Sequence, residues 1–117
     1  MTDAYAMIKV LTLNHYSGCI SLLVNMAQSL SQGKKIFQQI SKVAYRFLNT
    51  KIYEAGILLR DYRLQNAVKM RKPVVLAYPT ADITKTFYAL ASRLNNDTQP
   101  ISTVSDSFFK KVVNLFF

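Results

Sequence analysis

The sequence predicts an α/β protein with a parallel sheet. Short apolar runs, Ile20–Met26 and Ile52–Leu59, alternate with stretches of helical periodicity. The first run is nearly continuous in apolar residues, as expected of a strand buried on both faces. Hydrophobic residues make up 50% and aromatics 12% of the 117 residues, enough for one small domain with its own core and too many for a chain disordered throughout.

The elements follow in order. Asp3 is placed to cap a helix running to Leu13, with Ala4, Ile8 and Leu11 on one face. After the first strand, Ser29 or Ser31 opens a long helix, where Ile36, Ile40, Val43 and Phe47 recur at helical spacing. Gly56 inside the second strand suggests a close backbone approach. Asp61 is a good N-cap for a helix over 62–71, closed by Pro73. Val74–Tyr78 reads as extended, a short third strand. Pro79-Thr80 leads into a helix with Ile83, Phe87, Leu90 and Leu94 on its inward face. Two strands and a short third are too few for a parallel sheet covered on both faces, so the chain reads as a piece of a larger fold. The expected division is a domain over 1–95, a polar linker over 96–106 and a C-terminal helix over 107–117.

That last segment, Ser107-Phe-Phe-Lys-Lys-Val-Val-Asn-Leu-Phe-Phe117, carries the strongest functional pattern. Wound as a helix, Lys110, Lys111 and Asn114 share a polar arc of roughly 100°. Phe108, Phe109, Val112, Val113, Leu115, Phe116 and Phe117 cover the remainder. A broad apolar face beside a narrow lysine face is the pattern of a helix lying in a membrane interface. A C-terminal helix packed on the domain's own core is the alternative. Lys and Arg number 15 against 6 Asp and Glu, a formal charge of +9 that favours an anionic partner. Met1-Thr-Asp-Ala lacks the pattern of a secretory signal, and no stretch approaches the ~18–20 apolar residues that cross a bilayer. A cytosolic protein able to touch a membrane is expected.

Little in the chain supports chemistry. The single His15 and the single Cys19 make no metal set, and Cys19, beside an apolar run, reads as a buried thiol. There is no G-x-x-x-x-G-K-[S/T] loop, and Gly18, Gly33 and Gly56 build no phosphate-cradling turn. The chain by itself is not expected to hydrolyse a nucleotide. Lys69-Met-Arg-Lys72 is a helix-end charge cluster that complements the helix dipole, without interleaved aromatics, and nucleic-acid binding is not expected from it. Ligands of parallel sheets gather at the carboxyl ends of strands, which singles out Asn25 after the first strand and Leu59-Arg60-Asp61 after the second. An Asn amide suits a purine edge, whereas Asp61 more simply caps the next helix.

Several segments together resemble one family. Thr2-Asp-Ala-Tyr-Ala-Met-Ile-Lys9, Leu22-Leu-Val-Asn-Met26, Arg46-Phe-Leu48, Gly56-Ile-Leu-Leu-Arg-Asp61, Ala67-Val68 and Lys72-Pro-Val74 stand in the order and spacing of MinD/ParA-type ATPases, in particular the flagellar-number regulators of the FlhG/FleN type. The resemblance covers residues 2–95, and the tail is similar to the MinD-type membrane-targeting helix. It implies the incomplete C-terminal part of a deviant P-loop NTPase fold, with the P-loop half absent. It also implies ATP and Mg as cofactors of the intact family and none for this chain alone. By the same resemblance, Asn25 contacts adenine and Leu59, Arg60 and Asp61 line the base pocket. Leu59 stands where the family has proline, and Tyr45 replaces the Asp usually found before the R-F-L segment. The partners implied are an anionic membrane surface, an SRP-type flagellar GTPase, a flagellar transcription activator, flagellar switch components and, in the intact family, a second copy. The implied location is the cytoplasm, peripheral at the inner face of the cell membrane. The rival reading is a small basic binding module for nucleic acid or a protein partner.

Overall fold

A computed structural model describes residues 1–96. The linker over 97–106 and the amphipathic segment over 107–117 lie outside the described residues. The order is α1 (Thr2–Leu13), β1 (Ile20–Ala27), α2 (Leu30–Leu48), β2 (Ile52–Leu59), α3 (Tyr62–Lys69), α4 (Val74–Ala77) and α5 (Asp82–Asn96). The fold is α/β, and β1 and β2 pair in parallel as the only sheet among the described residues.

The sheet is irregular in a way that organises the whole domain. Leu22 pairs with Glu54 but Leu23 pairs with Gly56, so Ala55 is an extra residue on β2. Side chains alternate along a strand, and one inserted residue reverses the alternation beyond it. Ile52 therefore faces the side of Ile20 and Leu22, while Leu58 faces the opposite side. Each side has its own core. Ile8, Ile40, Ala44 and Ile52 pack with Ile36, Phe37 and Leu48 beneath α1 and α2. Leu58, Ala67, Val74, Ala81 and Ile83 pack with Leu64, Tyr78 and Phe87 among α3, α4 and α5. Arg93 of α5 reaches the bulge, its guanidinium donating to the carbonyls of Glu54 and Ala55 at 3.4 Å.

α2 shows why its sequence makes a long helix. Ser29 is the N-cap, its hydroxyl accepting from the Gln32 N–H at 3.1 Å, and the Gln32 side chain accepts from the Gln28 N–H at 2.7 Å. At the other end Asn49 adopts the left-handed conformation (φ 49°), and the N–H groups of Asn49 and Thr50 close on the carbonyls of Tyr45 and Ala44. The inward row is Gly33, Ile40 and Ala44, with Val43 and Phe47 left exposed rather than inward. Small residues face the sheet because α2 lies so close to it. A Cβ on Gly33 would stand 2.5 Å from Ile57 Cγ2. The close approach expected at Gly56 thus occurs at Gly33, since a Cβ on Gly56 would meet its neighbours at ordinary contact distance, 3.5 Å from Leu23.

Other expectations are corrected. Asp3 lies within the first turn of α1 rather than at its cap, which Met1 occupies without a side-chain bond; its charge still favours the helix N-terminus. β1 is not buried on both faces. α5 packs on β2, and Ser21, Leu23, Asn25 and Met26 remain exposed. Val74–Tyr78 is not a strand. An extended segment there would need a partner for its peptide groups. Instead Leu76 and Ala77 donate to the Pro73 carbonyl and Tyr78 to the Val74 carbonyl, closing a single turn. α3 stops at Lys69, with Arg71 left-handed (φ 53°) before Pro73. α5 continues through Asn96, into the start of the expected linker.

Candidate functional site

The carboxyl ends of β1 and β2 lie side by side and bring the sequence-predicted ligand positions onto one rim. Val24 pairs with Ile57 and Ala27 with Leu59, so three steps along β1 match two along β2. The surplus is absorbed at Asn25-Met26. Met26 takes φ 56°, sparsely populated for a side chain of its size, and the Asn25 Oδ1 accepts from the Met26 N–H at 2.9 Å. The ladder then resumes, with the Arg60 N–H donating to the Ala27 carbonyl at 2.9 Å. Asn25, Leu59 and Arg60 are exposed on this rim.

Asp61 is engaged in the local structure. One carboxylate oxygen accepts from the Arg63 N–H at 2.9 Å as the N-cap of α3. The Arg63 guanidinium donates to both oxygens, at 3.0 and 3.1 Å. The guanidinium hydrogen bond first, and the capping N–H after it, hold the Asp61 carboxyl below its ordinary range. Both of its oxygens are engaged by Arg63.

An apolar concavity lies elsewhere. A trough of about 350 Å³ runs along β1 between α1 and α5, floored by Ile20, Leu22 and Leu23 and walled by Met7, Leu11, Leu90 and Leu94. Sequence reading did not foresee it, although Met7 and Leu11, like Leu90 and Leu94, recur at the four-residue spacing of one helix face. Cys19, expected to be buried, is half-buried on its wall. His15 is exposed beyond the end of α1 with φ 56°. Among the described residues no group of three or more His, Cys, Asp or Glu side chains is placed to hold a metal ion. No described helix is long and apolar enough to cross a membrane.

No protein-family model matches the chain. The antiactivator FleN of Pseudomonas aeruginosa (strain PAO1) is 32% identical to it over 96 residues, which are 82% of this chain and 34% of FleN. The chain thus spans about a third of the length of that curated relative. The chain is thus similar to a FleN-type regulator over most of its own length.

Proposed function

We propose, from the likeness to the antiactivator FleN over most of the chain, that this is the C-terminal part of a MinD/ParA-type regulator of flagellar number and placement. It acts without catalysis of its own and holds to an anionic membrane through residues 107–117. The observation that carries the reading is the identity of 32% across 82% of the chain. By the same resemblance, the rim of Asn25, Leu59, Arg60 and Asp61 is the adenine side of a nucleotide site whose phosphate-binding half, with ATP and Mg, belongs to the intact family. The flagellar GTPase, transcription activator, switch components and homodimer implied by the resemblance would be met by the whole regulator.

Elementary energetics make the anchor weak and reversible. A helix of about ten residues is marginal in water and would form on the membrane, where ordering its backbone opposes binding. Each buried phenylalanine contributes up to ~1.5–3 kcal/mol before those losses. Lys110 and Lys111 add about 1 kcal/mol each beside anionic lipid. Two tails on a dimer would gain by effective concentration.

Vesicle sedimentation tests the anchor. Wild type is expected to sediment with phosphatidylglycerol vesicles and Phe109→Glu/Phe116→Glu to remain in the supernatant. Equal binding of the two proteins would refute the membrane assignment. Measurable ATP turnover by the chain alone would refute the non-catalytic one.

A further inference from the structure

α2 carries a second surface that neither the anchor nor the nucleotide rim explains. Residues 30–48 contain no Asp or Glu. Successive residues of a helix are about 100° apart, which brings Lys35, Lys42 and Arg46 into an arc of roughly 40° running roughly 16 Å along the axis. All three are exposed, and they lie opposite Gly33, Ile40 and Ala44, whose burial against the sheet fixes the row outward. Tyr45, 65% exposed, flanks the row on one side, whereas Phe47, 66% exposed, lies on the other flank, toward the inward face of α2. The Arg46 guanidinium lies 5.5 Å from the centre of the Phe47 ring.

We propose that the outward face of α2 is an electrostatic contact for an anionic phospholipid surface, with Lys35, Lys42 and Arg46 meeting the headgroup phosphates and Tyr45, on the flank of the row, seated at the headgroup level. The cations select an anionic partner, because α2 offers no carboxylate to repel it or to neutralise the row. The Tyr45 ring beside them favours a lipid interface, where a ring lies at the acyl boundary while a neighbouring cation stays at the phosphates. A straight, convex row suits a plane. Two concavities, by contrast, lie along β1 and between β2 and α5, away from the α2 row.

This inference extends the membrane reading above by giving the weak tail a second contact, since stable attachment takes two signals.

The test measures binding of the full chain to vesicles of mixed phosphatidylglycerol and phosphatidylcholine and to vesicles of phosphatidylcholine alone. Lys35→Gln/Lys42→Gln/Arg46→Gln is expected to weaken binding to the anionic vesicles about a hundredfold, since each cation near such a surface is worth about fivefold. It should leave binding to the neutral vesicles unchanged and flatten the dependence on salt. Helix content by circular dichroism confirms the fold of the variant, and Lys35→Arg/Lys42→Arg/Arg46→Lys should bind as wild type. Undiminished binding of the glutamine variant to anionic vesicles would overturn the proposal. So would a loss confined to retention of duplex DNA. The tail variant Phe109→Glu/Phe116→Glu separates the two readings. If it binds as wild type while the glutamine variant does not, the tail anchor fails and the α2 contact stands.

Discussion

The two faces of the sheet are built by different means. On one, α2 packs through a regular row of small and aliphatic residues, Gly33, Ile40 and Ala44, close enough that Ile57 fills the space a Cβ would take. On the other, the short helices α3 and α4 and the longer α5 enclose Leu58, Ala67, Val74, Ala81 and Ile83 around a buried polar group. That group is Thr84, fully buried, whose hydroxyl donates to the Tyr78 carbonyl at 2.6 Å with the Val74 carbonyl 3.4 Å away. The first face is held by periodicity and close packing. The second depends on a hydrogen bond that ties α5 to the turn of α4. A single inserted residue, Ala55, lets one strand serve both.

Removing the centre of either core is the strongest way to break this contrast. Ile40→Ala and Ile83→Ala should each cost about 2–5 kcal/mol, measured by urea unfolding monitored by circular dichroism. Coincident unfolding curves from far-ultraviolet signal and tyrosine fluorescence would show the two faces to be one cooperative unit. Separate transitions in Ile83→Ala alone would show the α3–α5 face to be a weaker unit laid on the first.

Thr84→Val should cost about 0.5–1.5 kcal/mol, because it keeps the shape and removes one hydrogen bond to the Tyr78 carbonyl, which still accepts from the Ala81 N–H. A cost within error of zero would remove the hydrogen bond from the account of that face. Gly33→Ala tests the opposite face. Alanine gains about 1 kcal/mol of helix propensity, while overpacking against Ile57 costs about 1–3 kcal/mol. A net loss of about 1 kcal/mol is expected, and a gain in the thermal midpoint would mean that α2 can draw back from the sheet freely.

The smallest effect concerns the rim between the two faces. Asp61→Ala removes the cap of α3 and should cost about 1 kcal/mol at neutral pH. The folded protein holds the Asp61 carboxyl below its ordinary value, so the native state favours the ionised form. The stabilisation is therefore fully present above about pH 4, the ordinary carboxylate range, and is lost as pH falls through the lowered native value. Wild type and variant should converge in stability in acid. A difference that persists there would assign the effect to packing rather than charge.

Much of the rim was legible because its residues act locally. Asp61 caps the helix that follows it, and Ser29 does the same for α2, because a side-chain oxygen two or three residues before an unpaired N–H finds it whatever the rest of the chain does. The left-handed kink at Met26 was not legible. It exists to bring β1 back into register with Leu59, and register is a property of two strands together.

The same division runs through the whole chain. Local signals in the sequence determined the alternation of helices and strands, the parallel α/β class, the start of α2 at Ser29 or Ser31, the cap at Asp61, the inward row of α5 and the segments that mark its resemblance to FleN. Tertiary packing alone decided that Ala55 is a bulge, that α2 turns Ala44 rather than Val43 and Phe47 inward, that the tight approach is at Gly33, and that Val74–Ala77 coils into a turn. Caps and periodicity join residues a few positions apart, whereas each of these other features satisfies a distant partner. Which face of an element is buried, and where backbones meet, depends on contacts across tens of residues that no local pattern records.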